Sequence, residues 1–220
     1  MYKKIVKESL FEFAMPTNEM KEKLWYHGTS EESVNKIIED KAIKPSPNPS
    51  KRYMAPVIGR VYITENLEEA LSYANFRTTG YPLKYGSPKL LDRYLYLVII
   101  KGSDLKDVYP DEDIIADILV NVNEPFFKYK WLDELAKRIE PKLYHKYNIM
   151  GDYRYGTVLG KRLIPYLSDD EKISLINYGH KLSNTGGIPI YQIWKIPEKL
   201  RYELTANPES YKESGKLIYP

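Results

Sequence analysis

Three residue types placed at particular spacings give this chain its chemical potential. His27 is one of only three histidines and closes the aromatic run LWYH (24–27), directly before Gly28-Thr29-Ser30. Further along, GRVYIT (59–64) carries Tyr62, and ENLEEALSYA (65–74) carries Tyr73. Two tyrosines can hold a flat heteroaromatic ring, and offset stacking adds about 0.5–1.5 kcal/mol beyond the area buried. A glycine after the histidine lets a backbone N–H and C=O approach a ligand amide closely, because no Cβ intervenes. An imidazole Nε2 with a nearby hydroxyl can bind a ribose diol. Taken singly, H-G-T is a strand-to-helix corner, Tyr62 a half-buried strand residue and Tyr73 a helix-surface aromatic. Together, on elements in the right order, they point to a site.

The elements that must hold them are readable from periodicity. LWYH is an aromatic-rich strand, with Trp25 and His27 on one face and Leu24 and Tyr26 on the other. Thr29 to Glu32 has the S/T-x-x-E spacing of a capping box. Val34, Ile37 and Ile38 follow at helical spacing, so a helix begins at about Ser30. The proline- and serine-rich stretch 45–56 reads as loop, and VIGRVYIT (57–64) as a second strand. Asn66 and Glu69 offer a second capping box, ahead of the stripe Leu67, Ala70, Leu71 and Ala74. Tyr73 lies off that stripe and can face outward. A loop with Gly80, Pro82, Gly86 and Pro88 follows. YLYLVII (94–100) is continuous enough to be a strand buried on both faces.

Residues 114–182 read as largely helical, interrupted at Pro141, with a further capping box at Ser168–Glu171. Asn184 to Gly187 reads as a turn, and IPIYQIWKI (188–196) as the last clear strand. Ile5, Val6, Leu10 and Phe13 predict an N-terminal helix. The expected fold class is therefore α+β.

The composition narrows the function classes. The chain has 220 residues, 43% of them hydrophobic, and no cysteine. One sizeable core is the expectation, and disulfides, thiol catalysis and cysteine-based zinc sites are excluded. The three histidines show no ligand spacing, so no metal is expected. A net charge of +3 is short of the imbalance of a dedicated nucleic-acid binder. No apolar run reaches the roughly 18 residues of a membrane span, and the charged N-terminus has no secretory apolar region. These features imply no membrane partner and a cytoplasmic protein, or one delivered into a host cytoplasm without a Sec signal. Tyrosine is abundant, 21 against 5 phenylalanines.

YHGTS, then GRVYIT, then EEALSYA resembles the ADP-ribosyltransferase superfamily, in the branch of diphtheria toxin and the poly(ADP-ribose) polymerases with its His-Tyr-Glu motif. The resemblance covers residues 24–100, and 188–204 loosely. It implies a split β-sheet core with a helical insertion, in one domain over 1–220. Its parts would be an N-terminal helix and connector (1–23), an NAD-pocket half (24–104), a mainly helical insertion (105–187), and a late strand with tail (188–220). The implied activity is NAD-dependent mono-ADP-ribosyl transfer to a macromolecular acceptor, protein or nucleic acid, with release of nicotinamide.

Under that resemblance His27 would bond a ribose hydroxyl of NAD, and Gly28 would hold the nicotinamide carboxamide through its backbone. Thr29 would contact the adenine-side ribose. Tyr62 and Tyr73 would sandwich the nicotinamide. The helix serine of the family falls at Ala70, so that contact is missing or comes from Ser72. The family's third residue, a glutamate on the late strand, binds the nicotinamide-ribose hydroxyl and stabilises the oxocarbenium-like transition state. IPIYQIWKI has no carboxylate. Gln192 is the lone polar residue on the face of Ile188, Ile190, Trp194 and Ile196, and takes the glutamate's role, although Ile190 is an equally permissible register. Glu203 falls too late. The uncharged replacement puts polymer elongation in doubt.

Other readings stand beside this one. Gln192 as a buried amide bonded to backbone fits an NAD- or ADP-ribose-binding module without catalysis. An RNA 2′-phosphotransferase shares the fold, but it uses a histidine on the second strand, where this chain has Tyr62. Asp111, Glu112 and Asp113 read as a solvated helix-capping turn rather than a cation site. The Lys/Arg–Tyr stretch 142–162 suits nucleic acid and also an ordinary solvated helical face. A small, cysteine-free chain with a lysine-rich start would suit a bacterial or phage effector.

Overall fold

The computed structural model describes residues 14–45, 59–79, 93–120, 129–150 and 153–220. The expected N-terminal helix lies outside these residues, as do the loop with Gly80, Pro82, Gly86 and Pro88 and most of the loop at 45–56. The chain is mixed helix and sheet, as the periodicities imply. It forms two compact units, one built mainly from residues 107–179 and the other from residues 16–48, 58–106 and 180–220.

In the second unit, chain order runs α1 (Asn18–Glu22), β1 (Leu24–Thr29), α2 (Glu31–Asp40), β2 (Ala42–Ile43), β3 (Arg60–Thr64), α3 (Leu67–Thr79) and β4 (Tyr94–Lys101). The 107–179 unit holds β5 (Val108–Pro110), α4 (Glu112–Val120), α5 (Lys130–Ile139), α6 (Pro141–Met150), α7 (Tyr153–Leu163) and α8 (Asp169–Gly179). The second unit then resumes with β6 (Lys181–Thr185), β7 (Ile188–Pro189), β8 (Gln192–Pro197), α9 (Arg201–Ala206), α10 (Tyr211–Ser214) and β9 (Lys216–Tyr219).

The strands of the sheet unit lie in the order β6-β3-β1-β4-β8-β9, each pair antiparallel. β4 is central, and Leu95 to Ile100 are all buried, which explains its unbroken apolar run. One face of the sheet carries Leu95, Leu97, Ile99 and Ile196, packed with Leu67, Ala70, Leu71 and Ala74 of α3. Trp25 is buried on the opposite face of β1 and donates Nε1–H to the Met20 carbonyl at 3.1 Å. The helical unit has its own core, in which Ile115, Leu132, Leu159 and Leu163 are fully buried. There α7 meets α4 so closely that a Cβ on Gly160 would lie 2.6 Å from the Glu112 carbonyl oxygen.

Of the three expected capping boxes one forms in full and one by half, because Asn66 N donates to Thr64 Oγ1 instead of Glu69. Ser168 N donates to Glu171 Oε2 at 2.7 Å and Glu171 N to Ser168 Oγ at 3.3 Å, the full reciprocal pattern. Glu69 N donates to Asn66 Oδ1 at 3.1 Å. At α2 the expected box does not form. Ser30 is the N-cap residue without a side-chain cap bond, and Thr29 is buried at the strand end. The helix break at Pro141 occurs as expected, with Pro141 opening α6.

Four strands were not predicted, among them β5 of the helical unit. β6 was read as helix end and turn, and it pairs with β3 along its whole length. β2 and β9 are also new. The expected strand 188–196 is broken instead: β7 pairs with β2, Tyr191 N bonds the Ile99 carbonyl at 2.8 Å, and only β8 joins the main sheet.

Candidate functional site

The site residues gather where β1 and β3 part. The two strands share one register pair, Tyr26↔Thr64. An antiparallel ladder would continue to place Gly28 opposite Tyr62, but no further pair forms. β1 remains fully laddered to β4 on its other side, from Leu24↔Lys101 to Thr29↔Tyr96. β3 remains laddered to β6, from Arg60↔Thr185 to Thr64↔Lys181. The opening is therefore between two intact half-sheets.

The His27 imidazole bridges that opening, with Nδ1 2.9 Å from the Tyr62 carbonyl oxygen. A carbonyl only accepts, so Nδ1 carries the proton and donates. Burial lowers the ring's basicity below its ordinary 6.5; the Tyr62 carbonyl opposes this and the Arg77 charge adds to the lowering. The neutral tautomer then presents Nε2 as an acceptor, the state needed to receive a hydroxyl proton.

Gly28 faces α3. A Cβ there would stand 1.9 Å from the Ala70 carbonyl oxygen and 2.5 Å from Ala74 N, so only glycine allows the helix to lie this close to the strand. Gly28 thus has a packing reason for its identity that the ligand-based reading did not include. That contact lays α3 over β1 and β4, with Tyr73 48% exposed. Tyr62 is partly buried and shares the α3-covered face with Tyr26 by strand alternation. Thr29 is 3% exposed, so its hydroxyl offers little to solvent in this state. Ala70 is fully buried under the helix, and Ser72 is partly buried.

Gln192 lies elsewhere. It pairs with Ile99 on β8, and β1 and β4 stand between it and Tyr62. Three strand spacings put it roughly 14 Å away across the sheet. Its Oε1 accepts from Trp194 Nε1 at 3.3 Å, an intrastrand amide–indole bond. The structure brings the His27 imidazole to the Tyr62 backbone carbonyl and sets Gly28 against α3, with His27 leaving β1 on the face of Trp25, and it leaves Gln192 outside that group. Ile190 is buried at the break between β7 and β8. Directly across from Tyr62 stands Ser183 of β6, fully buried, its Oγ without a hydrogen-bond partner. Nothing in the polar stretch KLSNT marked Ser183 beforehand.

At the closed end of the seam Thr64 organises a polar network. Its Oγ1 lies 2.9 Å from both Glu69 Oε2 and the His180 carbonyl, and accepts from Asn66 N at 3.0 Å. Lys181 pairs with Glu69 at 2.7 Å, and Lys23 with Glu65 at 2.9 Å. His180 Nδ1 also meets Glu65. Burial opposes ionisation of Glu65, but Lys23 and His180 outweigh it and hold the carboxyl below its usual range.

In the helical unit Asp111, Glu112 and Asp113 are buried rather than solvated, contrary to the sequence reading. Asp111 Oδ1 accepts from Asp113 N at 3.0 Å, and Asp113 Oδ1 from Thr157 Oγ1 at 2.9 Å. Among the described residues no group of three or more His, Asp or Glu is arranged to hold a metal ion, and no helix is long and apolar enough to cross a membrane.

No protein-family model matches the sequence, and neither a curated protein nor a solved structure matches the chain.

Proposed function

We propose that the chain is an NAD-dependent mono-ADP-ribosyltransferase with an ADP-ribosyltransferase-like sheet, acting on a macromolecular acceptor, protein or nucleic acid. The observation that carries this reading is the neutral His27 set in the seam between β1 and β3, its Nδ1–H fixed on the Tyr62 carbonyl. In this reading Nε2 accepts from a ribose hydroxyl of NAD. The Gly28 backbone edge, unpaired by β3, takes the carboxamide, and Tyr62 and Tyr73 flank the nicotinamide ring. The bond from the nicotinamide nitrogen to ribose C1′ breaks, nicotinamide leaves with the electron pair, and an acceptor oxygen or nitrogen bonds C1′ and loses its proton. Positioning is the part these residues supply, and effective molarity alone can lower a barrier by about 7–11 kcal/mol.

A second reading is favoured by one observation. Gln192 is engaged with Trp194 and lies across the sheet, so no carboxylate takes the glutamate's role there. An oxocarbenium-like transition state then lacks its charge partner. The chain would bind NAD or ADP-ribose without cleaving it. The experiment that separates the two uses NAD labelled on the adenylate phosphate, cell lysate, and His27→Ala in parallel. Label transferred by the wild type and lost in the variant establishes the transferase. Its sensitivity to protease or nuclease names the acceptor class. NAD binding without transfer leaves the binding module.

A further inference from the structure

We propose that Arg77 is the anion anchor of the site, taking the phosphates of a ribonucleotide whose sugar sits at His27. The proposal rests on the NAD reading above and deepens it by assigning the group that selects a pyrophosphate ligand over a nucleoside without phosphate.

The helix geometry places Arg77. The stripe of α3 that crosses β1 at Gly28 passes through Ala70 and Ala74, and Arg77 is its next position at i+3. It also lies at i+4 from Tyr73, so an exposed aromatic and an exposed guanidinium neighbour each other on one side of the helix. Nearby cations are already committed: Arg93 Nη1 to the Thr78 carbonyl at 3.0 Å, Lys181 to Glu69 and Lys23 to Glu65. Among the described residues no carboxylate pairs with Arg77. The helix that bears it lies against Gly28, the residue next to His27, and the Arg77 charge lowers the basicity of that imidazole. The planar fork of an arginine matches phosphate oxygens in a bidentate way that a lysine does not. Ring on tyrosine, phosphate on arginine and ribose hydroxyl on imidazole are the parts of one nucleotide.

Calorimetric titration with ADP-ribose and with nicotinamide riboside tests this, on wild type, Arg77→Ala, Arg77→Lys and His27→Ala. The expected result is that Arg77→Ala weakens ADP-ribose about 10- to 100-fold, the range for hydrogen bonds to a charged group. Its salt dependence flattens, Arg77→Lys is intermediate, and nicotinamide riboside, a cation without phosphate, is not weakened. The His27 ring resonance of the folded variant should titrate at higher pH than in wild type, a shift that reports proximity without any ligand. If Arg77→Ala binds ADP-ribose like wild type while His27→Ala does not, the anchor is wrong and the NAD reading survives. If wild type binds neither ligand, both fall.

Discussion

Replacing Gly28 with alanine tests the helix–strand contact on which the whole site depends. The added Cβ would fall 1.9 Å from the Ala70 carbonyl oxygen, where contacts under 3.0 Å are essentially never seen. The neighbours are backbone atoms of α3, so no side chain can swing aside. The helix must retreat by about 1 Å or more, and it lies on the fully buried residues Leu95 and Leu97 of β4. Overpacking of this kind costs typically about 1–3 kcal/mol, occasionally more, and the upper end applies where backbone is struck. In a chain of this size about 3 kcal/mol corresponds to a fall in Tm of roughly 6–12 °C. Urea unfolding followed by tryptophan fluorescence reports it, since Trp25 and Trp194 both sit in the affected unit. Gly187→Ala is the control, because its nearest neighbour would be at 3.6 Å, and a change within about 0.5 kcal/mol is expected. Equal stabilities for Gly28→Ala and Gly187→Ala would refute the packing argument. A stable Gly28→Ala that still lost NAD would assign the glycine to ligand contact alone.

Three further outcomes follow from the same geometry. The lowered basicity of His27 means that the unfolded chain takes up a proton below about pH 6.5 that the folded chain refuses. Stability should therefore fall as pH drops through 6.5 and level off once the folded imidazole is itself protonated; His27→Gln should flatten that step in pH-dependent urea titrations. Thr64→Val keeps the shape but strands Asn66 N and the acceptors at the closed end of the seam, and should cost about 1–3 kcal/mol in the same assay. Ser168→Ala removes the capping box of α8 and should cost about 1 kcal/mol, seen as faster amide exchange in the first turn of that helix.

How much of this was legible in the sequence differs between elements. β4 was readable because a strand buried on both faces has no polar alternation to confuse it. The Ser168 box was readable because both partners are local. β6 was not, because Ser183 and Asn184 are buried while polar. What holds them in a strand is the ladder to β3 and the bond from Lys106 N to Asn184 Oδ1, across a long sequence separation. The same limit explains Gln192. Its alternation on a late strand was readable, but neighbouring strands are chosen by topology. β8 went to β4, and β6 took the place beside β3. That His27 and Tyr62 occupy strands was legible, but His27 and Gly28 lie inside β1, which stays laddered to β4 as far as Thr29, and not at the strand-to-helix corner expected there. The packing role of Gly28 was not legible, since nothing local says which helix will cross it.

The seam also has a mechanical consequence. One register pair and the His27–Tyr62 bond link β3 to β1 within the sheet, with the Lys23–Glu65 and Lys181–Glu69 ion pairs gathered at the closed end, while each half is laddered within itself. Parting of the halves at the open end therefore breaks few backbone bonds, and the compliance of the sheet is concentrated on the side of the seam that His27 bridges. A ligand wedged into that side would act as a stiffener. Its arrival should slow amide exchange along β3 even at residues it never touches.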